Sequence, residues 1–158
     1  AEGERHRGRG GVVSPSDVVA SARGLIGTPY HHQARVPGVG IDCAGVLIVV
    51  ARQLGLVAPD FDVTSYPRVP DGVALREYCE ANMVRVQTPV LGGAVLASWK
   101  DGPPQHLGIV ADYQHGGLSF IHADGERAKA VIETRLAFSR YFRLVAAYGF
   151  PGVDYEAA

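Results

Sequence analysis

Two cysteines among 158 residues are too few for a disulfide framework. Small domains stapled by disulfides carry several pairs, so an apolar core has to hold this chain. A bridge between Cys43 and Cys79 would consume the thiol that matters most below. An excess charge of one sign is also missing: 15 Lys and Arg against 16 Asp and Glu leave a formal net charge of −1. That balance argues against nucleic acid or an anionic membrane surface as the main partner. The longest apolar run, residues 46–51, is far short of a spanning helix, so no membrane insertion is expected. Neither Cys-x-x-Cys nor His-Glu-x-x-His spacing occurs, and the adjacent pair His31-His32 is a poor metal site because neighbouring side chains diverge. No metal and no cofactor are expected. The Arg- and Gly-rich start has no apolar stretch behind it, so no secretory signal is expected.

What is present is 47% hydrophobic residues, enough for one domain with a substantial core. Residues 1–13 lack periodicity and read as a disordered arm with a basic cluster at Arg5, His6, Arg7 and Arg9. Residues 14–151 form the domain, and 152–158 a C-terminal tail. Ser16 is the expected N-cap of a first helix, whose stripe Val18, Val19, Ala22, Leu25 and Ile26 stops at Gly27. A loop over 28–42 leads into a second helix over 43–54, apolar nearly all round and therefore buried. A proline-rich connection and a third helix over 71–82 follow. From Ala94 the period changes to two. Strands are expected over 94–99, 106–113, 118–123, 128–134 and 143–150, with a short helical turn over 136–141. Helices first and a strand meander second describe an α+β fold, its N-terminal helices on one face of an antiparallel sheet of about five strands.

The chemistry centres on Gly38-Val39-Gly40-Ile41-Asp42-Cys43-Ala44-Gly45. The glycine-rich loop delivers Cys43 to the first turn of the second helix, where free N–H groups and the helix dipole favour a thiolate. Small Ala44 and Gly45 leave room for a substrate backbone. Packing explains the same residue: Cys43, Val46, Leu47, Val50, Ala51 and Leu54 follow helical core spacing, and free cysteine is commonly buried. His106 and His122 lie on neighbouring strands. A hairpin centred near His115 sets His106 opposite Asp124, with His122 as its diagonal neighbour on the same face. A one-residue slip separates the two rings. A thiolate attacks, an adjacent imidazole moves the proton, and a third polar group orients that imidazole. Cys43, His106 and His122 fit those roles, with backbone N–H groups at the helix start facing the oxyanion. Cys79 reads as core, His115 as a solvated loop tip, and Glu126 and Glu133 have no paired role.

Four motifs occur in order: Gly27-Thr28-Pro29-Tyr30, Asp42-Cys43-Ala44-Gly45, His106-Leu107-Gly108-Ile109-Val110 and Phe120-Ile121-His122-Ala123. Together they resemble the NlpC-type cell-wall peptidases, a papain-like superfamily. Tyr30-His31-His32-Gln33, Val131-Ile132-Glu133 and the arginine- and aromatic-rich stretch 139–150, closing on Phe150-Pro151, are similar to its phage and gene-transfer-agent tail branch. The resemblance implies a thiol hydrolase acting on peptidoglycan stem peptides. It places the nucleophile on Cys43, the base on His106, the orienting residue on His122, and the oxyanion and substrate contacts on Tyr30, Asp42 and Ala44. It further implies a virion or phage-like tail component, assembled in the host cytoplasm beside other tail proteins and acting at the bacterial cell wall. Two positions depart from the pattern: Ala44 replaces the usual serine, and Gly93-Ala94 replaces the usual Gly-Asp. They keep open an inactive structural tail-tip adaptor on the same fold. A bacterial housekeeping wall hydrolase is a third alternative.

Overall fold

The structure is a computed structural model that describes residues 11–69, 71–99, 102, 104–136 and 142–156. Helix α1 (Pro15–Arg23) begins two residues earlier than expected. Ser14, not Ser16, is the N-cap: its hydroxyl accepts from the Asp17 N–H at 3.2 Å, and Asp17 accepts from the Ser14 N–H at 2.9 Å. This reciprocal pair is a capping box, and Pro15 at the first helical position has no N–H left to satisfy. The loop before Cys43 contains a small hairpin, β1 (Arg35–Val36) and β2 (Gly40–Ile41), turned at Gly38 with φ +77°. Strands of two residues are too short to show a period.

Helix α2 (Cys43–Gln53) is buried from Cys43 through Ala51, as its all-round apolarity predicts. Helix α3 (Ala74–Asn82) starts three residues after the predicted position, because Asp71 folds back to accept from the Val73 and Ala74 N–H groups. Among the described residues no helix is long and apolar enough to cross a membrane.

The main sheet contains β3 (Val84–Val86), β4 (Ala94–Trp99), β5 (Pro104–Asp112), β6 (Leu118–Asp124), β7 (Ala130–Arg135) and β8 (Phe142–Gly149), in the order β3-β8-β4-β5-β6-β7. Every pairing is antiparallel. The five expected strands are all there. The sixth, β3, escaped notice because it has three residues and no fully buried face. Leu96, Leu107, Ile109, Ile121 and Val131 turn one face of the sheet into the core shared with the helices. Val95, Val110, Phe120 and Ala147 form a smaller cluster on the other face. The α+β class and the one-sided placement of the helices are as expected.

Residues just beyond the predicted domain limits of 14 and 151 are tied to the domain at both ends. Val13, assigned to the arm, bridges Val153, and the Asp154 N–H donates to the Val13 carbonyl at 2.9 Å. The Tyr155 hydroxyl accepts from the Phe150 N–H at 2.7 Å and donates to the Gly92 carbonyl at 3.0 Å. The polar composition of these segments hid anchors that work through backbone groups. Residues 1–10, 137–141 and 157–158, hence most of the arm and of the expected helical turn, lie outside the described residues.

Candidate active site

Cys43 is the first residue of α2, and Asp42 is its N-cap. The Asp42 carboxylate is 1% exposed and accepts four hydrogen bonds. One oxygen takes the Gly45 N–H and the Arg35 guanidinium, each at 2.8 Å. The other takes the Gln33 N–H at 2.7 Å and the Tyr66 hydroxyl at 2.6 Å. Its accepting capacity is therefore spent on the protein. Asp42 fixes the end of the helix and with it the thiol. Gln33, Arg35 and Tyr66 were not foreseen, since Gln33 and Arg35 beside β1 and Tyr66 from a distant loop reach Asp42 with no spacing rule to link them.

The Cys43 sulfur lies 3.8 Å from the carbonyl oxygen of Gln105. Backbone N–H groups of Leu107, Ala44 and Cys43 itself also point at it. The thiol thus meets β5 at the backbone on either side of His106. Cys43, His106, Tyr30, Asp42, Tyr66 and Trp99 line one cleft of about 130 Å³. Ala44 and His122 do not line it. Ala44 offers its backbone N–H, and His122 stands behind His106. Arg68 and Glu126 lie at the same cleft, exposed to solvent. Trp99, Gln105 and Arg68 are further residues the sequence did not mark.

The two imidazoles come together through strand register. Gly108 pairs with His122 and Asp112 with Leu118, the register of a hairpin centred on residue 115. His106 Nε2 is 2.6 Å from His122 Nδ1, and the rings meet edge to face with centroids 4.7 Å apart. This contact leaves Nδ1 as the other nitrogen of the His106 ring. The other nitrogen of His122, Nε2, lies 2.9 Å from the Thr134 hydroxyl on β7. Thr134 had no sequence signal beyond its place in a strand.

Burial sets the charge state. Cys43 is 8% exposed, and burial pushes its thiol up to about 12, with the Asp42 carboxylate adding to the rise and the backbone N–H groups opposing it. Burial also pulls His106 down to about 4, against the Asp124 carboxylate. His122 falls to about 3 through burial and the neighbouring His106. Burial thus favours the uncharged form of both the thiol and the imidazole. Burial opposes the thiolate that the helix start favours: a helix N-terminus contributes about 0.3–1 kcal/mol, whereas removing an ion from water costs several kcal/mol. Tyr30 is likewise pushed up to about 12, by burial and then by the negative charges that Cys43 and Asp42 can carry, so its hydroxyl remains a donor.

The remaining candidates are scattered. Cys43 and Cys79 are both free thiols, and Cys79 lies in the core. His31 bonds the His32 carbonyl while the His32 ring meets Tyr66 edge-on, so the two imidazoles serve different partners. Glu133 is held by Arg23 and Ser119. His115 sits in the exposed β5–β6 loop. Among the described residues, no group of three or more His, Cys, Asp or Glu side chains is arranged to hold a metal ion.

No protein-family model and no curated protein sequence matches the chain. The fold does find a counterpart. The chain is similar to the crystal structure of the NlpC/p60 domain of the peptidoglycan hydrolase SagA, with a TM-score of 0.56 and 24% sequence identity over 87% of this chain and 100% of that one. This likeness defines the architecture as the α+β, papain-like NlpC/p60 fold.

Proposed function

We propose that this chain is a cysteine peptidase that hydrolyses peptide bonds in peptidoglycan stem peptides, working as a tail-tip component of a phage-like particle at the bacterial wall. The observation that carries the reading is the meeting of the Cys43 thiol and His106 in one cleft, with the far nitrogen of His106 bonded to His122. The shared fold supports it, since the neighbouring structure is described as a peptidoglycan hydrolase domain. The tail setting draws its support from the motif order, above all Tyr30-His31-His32-Gln33. A scissile carbonyl bound in the cleft draws the thiol proton to His106 as sulfur attacks. The negative oxygen then faces the Tyr30 hydroxyl and the N–H groups at the start of α2. His106 returns the proton to the departing amine, and water releases the acyl group.

Purified wall digested with the wild-type chain releases stem peptides, and the Cys43→Ala chain releases none. Equal release by both defeats the proposal. A second reading, an inactive tail-tip adaptor, is favoured by one observation: Cys43 is buried, 8% exposed, which opposes ionisation of its thiol. Alkylation of Cys43 across a pH series separates the two when read beside peptide release. With a neutral resting pair the rate climbs about tenfold per pH unit with the thiolate fraction. Such a climb together with wall digestion supports the enzyme. A thiol inert throughout, with no digestion, supports the adaptor.

A further inference from the structure

His122 does more than stand behind His106, because its second nitrogen is also engaged. In the β6–β7 pairing His122 faces Ile132 and Phe120 faces Thr134, so Thr134 is a diagonal neighbour of His122 on the same face. His106 is its diagonal neighbour on the other side, displaced the opposite way along the strands. His106, His122 and Thr134 therefore form one slanting line across β5, β6 and β7. The hydrogen bonds run along that line, 2.6 Å from ring to ring and 2.9 Å from ring to hydroxyl. Phe120 lies flat against His122, centroids 4.1 Å apart and planes 13° from parallel, which holds the ring in the plane that makes both contacts.

Such a chain has two directions. In one, His122 donates from Nε2 to the Thr134 oxygen, accepts at Nδ1 from His106 Nε2–H, and leaves a lone pair on His106 Nδ1. In the other, every proton is reversed and His106 Nδ1 already carries a hydrogen, so it cannot accept one from sulfur. A buried ring N–H without a partner is costly, and the Thr134 hydroxyl accepts in the first direction and donates in the second, so the role it takes sets where protons sit along the whole line.

We propose that Thr134 is a positioning residue whose hydroxyl oxygen accepts the Nε2–H of His122 and thereby keeps the open nitrogen of His106 free to take the thiol proton. The proposal rests on the peptidase reading. Replacing Thr134 by valine, which has the same shape and no acceptor, removes the partner of His122 Nε2–H. The proton then moves to His122 Nδ1, where His106 Nε2 accepts it, and His106 is left protonated at Nδ1.

The test is imidazole ¹⁵N NMR on the 158-residue chain at pH 7, with peptide release measured on the same samples. Wild type should show both rings protonated at Nε2. Thr134→Val should move both protons to Nδ1 and lower the turnover of peptide release by about tenfold or more, with KM within about twofold of wild type. Thr134→Ser restores the acceptor and should restore both readouts. Wild-type rings protonated at Nδ1 overturn the proposal. So does a valine chain with unchanged tautomers and turnover, the sign that water has taken over the hydroxyl's place. If the valine chain fails to fold, Thr134→Ala takes the same measurements. A wild type that digests no wall defeats the peptidase reading instead, and the spectrum still reports the direction of the hydrogen bonds.

Discussion

The two walls of the cleft are held by opposite kinds of chemistry. Beneath Cys43 the wall is polar and saturated. Asp42 accepts four bonds, and Arg35 spends all five N–H groups on Asp62, Ala34, Asp42, Val63 and Tyr66. Around the imidazoles the wall is aromatic. Phe142 stacks on His106 at 4.8 Å, Phe120 stacks on His122 at 4.1 Å, and Trp99 packs on Phe142 at 4.4 Å. The difference separates position from protonation. Charge-assisted bonds fix where the sulfur is, while burial among aromatic rings favours neutral imidazoles and leaves their geometry to one hydrogen-bonded line.

The hardest blow to that contrast falls on the polar wall. Asp42→Ala takes from the Arg35 guanidinium, whose side chain is 7% exposed, the more buried of its two carboxylate partners and leaves it Asp62 alone, and it uncaps α2. Removing one partner of a buried pair costs about 3–5 kcal/mol, which urea unfolding will register. Because the pair acts as a unit, Asp42→Ala with Arg35→Met should cost less than the two single changes added together. A loss under about 1 kcal/mol for Asp42→Ala, the level of an exposed pair, shows that the clamp does not hold the thiol.

Acid breaks the aromatic wall. Burial lowers both histidines, so on acidification the folded chain takes up their protons later than the unfolded chain does. The stability carried by the neutral rings is complete above the unfolded value near 6.5 and drains as pH falls towards about 4 for His106 and about 3 for His122. The loss is on the order of 2–4 kcal/mol for the coupled pair. It precedes that from the carboxylates of Asp124 and Glu133, which are held below their ordinary values and come apart only in stronger acid. Unfolding measured between pH 7 and 4.5 should show the slope in wild type and a shallower one in His122→Asn. A flat profile in wild type removes the case for a neutral resting pair.

How much of this was legible in the chain follows from the range of the signals. Cys43 at the start of α2 and the His106–His122 diagonal were readable because each depends on local period and one hairpin centre. Thr134 was not, because its register passes through a longer turn. The Asp124 carboxylate accepts the Glu126 and Arg127 N–H groups and Lys129 takes φ +55°, so β6 and β7 pair about residue 127 rather than at the Asp124-Gly125 signal. The Asp42 clamp was hidden because it joins residues 33, 35, 42 and 66 by tertiary contact alone. The burial of Cys43 was hidden for a related reason: a helix start is visible in a sequence, whereas the burial that opposes its effect on the thiol is a property of the packed molecule.

The smallest effect probes how closely each wall is built, through the one glycine in each that lets backbone approach. A Cβ on Gly45 would sit 2.7 Å from Ile41 Cγ1, 2.9 Å from the Ala34 carbonyl oxygen and 3.1 Å from the Arg35 guanidinium. A Cβ on Gly108 would sit 2.7 Å from the Phe120 ring edge, 3.1 Å from the Ile121 carbonyl oxygen and 3.2 Å from His122 Cβ. In an open helix Gly→Ala gains about 1 kcal/mol, so a net loss at Gly45 measures the clash alone. There the obstacles are the fully buried Ile41 side chain, a backbone carbonyl and an arginine pinned by five bonds, which have little room to give. At Gly108 the nearest obstacle is a ring that can tilt, although tilting Phe120 disturbs its stack on His122. Both changes should destabilise by about 1–2 kcal/mol, Gly45→Ala the more, while Gly108→Ala alone should shift the His122 imidazole resonances. A stabilised Gly45→Ala chain means the polar wall is looser than its hydrogen bonds imply, and unchanged His122 resonances in Gly108→Ala mean the aromatic wall does not set the ring's orientation.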